Sequence, residues 1–275
     1  MTSTERPVIG FLTDFGLDGA AATCRGVMLS ICRDAQIVDI SHTVQKYAIR
    51  DGAFILRASL PYLPIGIHVG VVDPGVGTSR RPVGIRVGRG DVLIGPDNGL
   101  LMPAADALGG AVEARVLANR DLWLPTTSAT FHGRDVFAPV AAHLATGRTG
   151  FDAIGEPLEV PTLVRLPRAT PRATHGHIET EVAYVDSFGN VRLTGGRDEL
   201  TSAFAQPRAG DRFTVSIGAR PPLEVAFAPS FGHVEPGTSI LYIDSSGDLA
   251  LADNQSDLAA RIGVTSGEPV RIKTA

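Results

Sequence analysis

The sequence predicts an α/β chain, with an N-terminal Rossmann-like domain built on a mainly parallel sheet and a smaller C-terminal all-β domain, barrel or sandwich. Three observations carry this expectation. Up to about residue 160, short apolar runs alternate with helical stretches, the rhythm of βαβ units. Residues 161–177 then hold three prolines and no clear periodicity, which marks a linker or crossover. Beyond them the chain reads as strands separated by Gly, Pro, Asn and Asp. The expected boundaries are residues 1–165 for the α/β domain, 166–177 for the linker and 178–275 for the barrel-like domain.

In chain order, VIGFL, IVDIS, IHVGVV, VGIRV and DVLIG read as N-terminal strands, and residues 19–33, 48–62, 100–109 and 135–146 as helices. IHVGVV is apolar and β-branched and is bounded by Pro64 and Gly66 before it and Pro74, Gly75 and Gly77 after it, which suits a buried strand ending in a tight turn. In the second domain IETEVAYVD, VRLTG, RFTVSIG, LEVAFA, SILYIDSSG, LALA and VRIKT read as strands. Cys24 and Cys32 lie about two turns apart on a probable helix, too far for a disulfide within it and without metal-ligand spacing, so both read as reduced packing residues.

Composition narrows the function. A formal charge of −4 without a basic run argues against nucleic acid as the main partner. No apolar stretch approaches the ~18 residues of a spanning helix, and MTSTERPVIGF lacks the pattern of a secretory leader, so the expectation is a cytoplasmic protein without a membrane partner. Walker A, GxGxxG after the first strand, HExxH, CxxC and GxSxG are all missing, which removes the main supports for nucleotide triphosphate, dinucleotide, zinc-protease and serine-hydrolase readings.

The residues with chemistry cluster at strand ends. VIGFLT runs into Asp14, IHVGVV into Asp73 and VLIGP into Asp97, and in open α/β sheets ligands bind beyond the carboxyl ends of strands. Each Asp taken singly also suits a helix cap or an Asx-turn. VVDPGVGTSR pairs Asp73 with Arg80, and TFHGRDVFAP places His132 just before a helix start, where an imidazole is titratable and close to backbone N–H groups. Arg134 and Asp135 read as a structural pair, and His143, His175 and His177 as plain histidines. YVDSFGNVRL places Asp186, Phe188 and Asn190 at alternate positions, a carboxylate, a ring face and an amide that suit a purine. A plain hairpin turn explains the same segment equally well. YIDSSGDL reads as a hairpin with Ser245 and Ser246 at its tip.

Six ordered segments, LTDFG (12–16), ISHTV (40–44), VVDPGVGTSR (71–80), PDNGL (96–100), TFHGRDVFAP (130–139) and VDSFGNV (185–191), resemble those of the S-adenosyl-L-methionine hydroxide adenosyltransferases, relatives of the fluorinating and chlorinating enzymes. The resemblance spans nearly the whole chain. It implies hydrolysis of S-adenosyl-L-methionine, as substrate and not cofactor, to adenosine and L-methionine by in-line attack of water or hydroxide on ribose C5′. By the same resemblance Asp73, Arg80 and His132 are the catalytic triad, which holds and polarises the water. Asp14 binds the ribose hydroxyls, Asp18 lies near the substrate, Phe188 and Asn190 hold the adenine, and Asp186 with Ser245 lies toward the amino acid. A homotrimer with sites at subunit interfaces is implied, and neither metal nor cofactor.

Two departures stand out: the small-residue run GAAAT at 19–23, beside Asp18, and Ser246 and Asp253 at positions that are basic in the halogenating relatives. Those relatives lack counterparts of Asp73 and His132, whose presence here favours water over halide. The alternatives are a halogenase-like enzyme using S-adenosyl-L-methionine, a metal-dependent nucleoside hydrolase with Ca²⁺ held by the clustered carboxylates, and a non-catalytic adenosyl-ligand sensor.

Overall fold

The computed structural model describes residues 6–167 and 169–275. The leader reading of residues 1–5 and the Arg168 position of the expected linker lie outside the described residues. The chain divides into two compact units, 1–166 and 167–275.

The first unit begins with β1 (Val8–Thr13), all six of whose residues are buried. Alternation along β1 sends Ile9 and Phe11 to one face of the sheet and Leu12 to the other. Helix α1 (Ala20–Ile31) follows, then β2 (Gln36–Ser41), α2 (Ile49–Ser59), β3 (Ile67–Val71), β4 (Pro82–Val87), β5 (Val92–Pro96), α3 (Met102–Ala107) and β6 (Ala111–Val116). A π-helical turn over Gly133–Phe137 opens α4 (Ala138–Ala145), and β7 (Pro157–Leu158) closes the sheet. The side chains of α1 and α4, Met28 and Val140 among them, pack on the Ile9 face, and those of α2 and α3, including Leu56 and Ala105, on the Leu12 face. The sheet is therefore covered on both sides, as its near-continuous apolar strands require.

The seven strands run in the order β2-β1-β3-β5-β4-β6-β7. β2, β1, β3 and β5 pair in parallel, whereas β4 is antiparallel to both β5 and β6, and β7 to β6. The sheet is thus mixed, which corrects the expectation of a mainly parallel one. Only a short turn at residues 88–91 joins β4 to β5, and a parallel neighbour needs a crossover of a dozen or more residues. β6 escaped the sequence reading although Glu113 and Arg115 alternate with Val112, Ala114 and Val116 in a strand-like pattern. Cys24 and Cys32 are both buried and free, as expected, and burial pushes the Cys24 thiol up to about 12.

The second unit comprises β8 (Arg172–Thr174), β9 (His177–Val185), β10 (Val191–Gly196), α5 (Arg197–Phe204), β11 (Arg212–Ile217), β12 (Leu223–Phe227), β13 (Ser239–Ile243), β14 (Asp248–Asp253), α6 (Leu258–Ile262) and β15 (Pro269–Thr274). Strands pair in the order β10-β14-β13-β12-β11-β15-β9, and β9 pairs back onto β10, which closes a seven-stranded barrel. β8, within the stretch expected as a linker, pairs with residues 177–179 at the start of β9, ahead of the residues that pair with β10. Ile178, Val182, Val215, Leu241, Leu251 and Ile272 belong to one buried apolar core, so side chains fill this barrel as small barrels require. Helices α5 and α6 correct the expectation of an all-β domain. Each carries its own start signal: Glu199 accepts the Gly196 N–H at 2.7 Å, and Asp257 accepts the Ala260 N–H at 2.7 Å.

Candidate active site

β1, β3 and β5 are neighbouring parallel strands, so Asp14, Asp73 and Asp97 all emerge at one carboxyl edge of the sheet. They do not form one cluster of free carboxylates. Asp97 is held by Arg81 at 2.8 Å and accepts the Val164 N–H at 2.8 Å, so it fastens the end of the first unit. Asp14 accepts the Tyr47 N–H at 3.0 Å through one oxygen. Among the described residues no three His, Cys, Asp or Glu side chains gather as a metal site.

Asp73 meets Arg80 instead. Arg80 Nε donates to Asp73 Oδ1 at 3.1 Å, and Nη2 donates to Oδ2. The two side chains are only 6% and 5% exposed, so the pair is almost fully desolvated. Arg80 Nη2 also reaches His132 Nδ1 at 3.3 Å, and the Phe137 ring lies under the guanidinium at 5.4 Å. Residues 52 positions apart thus share one guanidinium. Burial, and then the charge of Arg80, holds the His132 imidazole below its ordinary 6.5.

Two glycines permit this meeting. Gly77 has φ 77°, and a Cβ there would stand 2.6 Å from the Ala129 carbonyl, so the Asp73–Arg80 loop can lie against the segment leading to His132 only as glycine. At Gly133 a Cβ would stand 2.7 Å from Phe15, which packs edge-on against Phe131 at 5.6 Å. His132 itself caps the π-helical turn, a distortion common at functional sites. The fully buried Asp135 binds Arg134 at 2.6 Å and the Ser128 N–H at 2.8 Å, the structural pair that was expected. Asp18 is exposed in the turn before α1.

In the second unit a pocket of about 780 Å³ is lined by the β9–β10 and β13–β14 turns and the segment after β14. Asp186, Phe188, Asn190 and Ser245 all line it, so the expected ligand residues of this unit share one cavity. Asp186 also serves as the hinge of its hairpin, which joins the two alternative readings of that segment. Its Oδ1 accepts the N–H groups of Phe188 and Asn190 at 2.9 and 3.0 Å, and its Oδ2 accepts Asn190 Nδ2 at 2.9 Å. Phe188 is left 77% exposed, a large apolar ring presented outward.

Among the residues of this pocket that sequence reading missed are Phe231, Tyr242, Arg192 and Asp244. Arg192 Nη1 pairs with Asp244, and Nη2 lies 3.9 Å from Asp186. Phe231 packs on Tyr242 at 5.3 Å, and burial raises the Tyr242 hydroxyl above 10. The signal for Arg192 was its place at the start of β10, two residues beyond Asn190 of the hairpin turn.

Residues 9–155 match the SAM hydroxide adenosyltransferase N-terminal domain, and residues 180–271 match the C-terminal domain. The chain belongs to the SAM hydroxide adenosyltransferase family. A relative from Salinispora tropica named (R)-S-adenosyl-L-methionine hydrolase is 43% identical over 267 residues, 97% of each chain. A protein from Nocardia brasiliensis named fluorinase is 30% identical, covering 99% of this chain and 98% of its own. Among solved structures, an uncharacterized conserved protein from Thermotoga maritima superposes with a TM-score of 0.88 at 35% identity, over 96% of this chain and 99% of that one. In this SAM hydroxide adenosyltransferase chain, the Asp73–Arg80–His132 cluster lies within the first matched domain and the pocket lined by Asp186, Phe188, Asn190 and Ser245 within the second.

Proposed function

We propose that the protein hydrolyses S-adenosyl-L-methionine to adenosine and L-methionine, by attack of water or hydroxide on ribose C5′ in line with the departing sulfur. The supporting observation is the buried Asp73–Arg80–His132 cluster at the carboxyl edge of the parallel strands, in a chain 43% identical to a protein named (R)-S-adenosyl-L-methionine hydrolase.

The chemistry places its demand on the nucleophile. A sulfonium leaves as a neutral thioether, so no general acid is needed at sulfur. Arg80 carries a fixed positive charge where an oxygen must gain anionic character. Its Nη2 donates to His132 Nδ1, so the neutral imidazole keeps its proton on Nε2 and orients the nucleophile as a donor. Asp73 then takes the nucleophile's proton: each carboxylate oxygen has a second lone pair beyond the one used by Arg80. Positioning of this kind supplies up to ~7–11 kcal/mol, against ~10²–10⁴-fold for proton transfer.

Asp14 binds the ribose hydroxyls, and Asp18 lies near the substrate. Phe188 stacks on the adenine, Asn190 hydrogen-bonds it, and Asp186 with Ser245 faces the methionine end. The working form is a cytoplasmic homotrimer with sites at subunit interfaces, and no cofactor takes part. No described helix is long and apolar enough to cross a membrane. Light scattering of the purified protein measures the assembly; a monomeric active enzyme contradicts the trimer.

The functional test is incubation with S-adenosyl-L-methionine, with and without chelator and with added halide, followed by chromatography. Adenosine and methionine in every arm support the reading. Free adenine lost on chelation identifies a metal-dependent nucleoside hydrolase, a 5′-halo-adenosine a halogenase, and unchanged substrate a sensor.

A further inference from the structure

We propose that His42, in the ISHTV segment, is a positioning residue that holds the Asp14 loop through a directional chain of hydrogen bonds. The inference rests on the S-adenosyl-L-methionine reading above, in which Asp14 binds ribose.

Asp39 on β2 accepts Arg25 Nη1 at 2.8 Å through Oδ2, and its Oδ1 lies 3.1 Å from His42 Nε2. On the other side of the ring, His42 Nδ1 lies 3.0 Å from Thr13 Oγ1. Thr13 Oγ1 in turn accepts the Phe15 N–H at 3.2 Å, and the His42 carbonyl accepts the Gly16 N–H at 2.7 Å. His42 therefore bonds on both sides of Asp14, to residue 13 through its ring and to residue 16 through its carbonyl, and reaches the Phe15 N–H only through Thr13.

The ends of the chain fix its sense. A carboxylate only accepts, so His42 Nε2 donates to Asp39. In the neutral ring Nδ1 is then the acceptor, and the Thr13 hydroxyl donates to it. That leaves a Thr13 lone pair for the Phe15 N–H. Thr13 is fully buried, so its hydroxyl has no solvent alternative, and the Phe11 ring lies edge-on to the imidazole at 4.8 Å. With Nδ1 removed, the Thr13 hydroxyl loses its acceptor and the loop carrying Asp14 loses its side-chain link to the end of β2, keeping only the backbone bond from the Gly16 N–H to the His42 carbonyl.

The arrangement Asp39–His42–Thr13 resembles a nucleophile triad in its connectivity. Complete burial of Thr13 excludes that use, since no substrate atom reaches its oxygen. A loop clamp remains as the function of the same bonds.

The test uses Thr13→Val, which deletes the hydroxyl at nearly constant volume, with His42→Ala, His42→Asn and the Thr13→Val/His42→Ala double variant. We expect Thr13→Val and His42→Ala each to raise KM for S-adenosyl-L-methionine about tenfold, with kcat within about threefold. His42→Asn, whose Oδ1 stands near the position of Nδ1, should return KM to within about twofold of wild type. The double variant should be no worse than either single one, since both break one chain. Calorimetric affinity for adenosine should fall in parallel. Folded Thr13→Val protein with unchanged KM, or His42→Asn as impaired as His42→Ala, overturns the proposal. Wild-type protein that binds adenosine without turning over S-adenosyl-L-methionine overturns the functional reading instead, and the clamp is then judged on adenosine affinity alone.

Discussion

Arg80 Nη2 lies 3.3 Å from His132 Nδ1, and because a guanidinium only donates, this bond assigns the imidazole its tautomer. His132 is a neutral ring with its proton on Nε2. Burial and the Arg80 charge both disfavour a second proton, so its titration falls below 6.5. The group is neutral when functional and its pKa is lowered, so its contribution is complete above about pH 6.5 and is lost as pH falls through the lowered value. Histidine NMR should show His132 titrating below 6.5 in wild type. In Arg80→Met the midpoint should rise, because the lowering charge is gone and Asp73 remains.

Asp73→Asn should reduce kcat at least about 100-fold by removing the proton acceptor. It also leaves Arg80 buried without its counter-charge, so stability should fall by about 3–5 kcal/mol. Single-turnover rates and denaturant melts separate the two effects.

Gly77→Ala should act on the site more than on the fold. The left-handed φ costs about 1–3 kcal/mol for alanine, and the new methyl presses on the Ala129 carbonyl. The loop must withdraw from the His132 segment, and kcat should fall well beyond the loss in melting temperature.

Phe188→Ala should show the opposite balance from Asp73→Asn. The ring is exposed, so stability should stay within about 0.5 kcal/mol of wild type. Loss of a base-stacking ring worth ~1–3 kcal/mol should raise KM five-fold or more. Steady-state kinetics with thermal melts checks both.

Much of this was legible in the sequence because it rests on local signals. The runs into Asp14, Asp73 and Asp97 and the hairpin at Ser245 all declare themselves within a few residues. Pairing partners do not. Nothing local distinguished Asp97, consumed by Arg81 and Val164, from Asp73, whereas the direction of β4 was legible in the short turn at residues 88–91 and was overlooked. Arg192 and Asp244, which are 52 residues apart, meet only through the pairing of β10 with β14. His42 was visible within a family segment, yet its partners Thr13 and Asp39 come together only through the β1–β2 pairing.

The central claim, that a water-derived oxygen attacks ribose C5′, is tested most directly by turnover of S-adenosyl-L-methionine in ¹⁸O-water with mass spectrometry of both products. The account predicts one ¹⁸O in adenosine, none in methionine, and no product from Asp73→Ala or His132→Ala. Adenosine without label, or product formation undiminished in those variants, contradicts it.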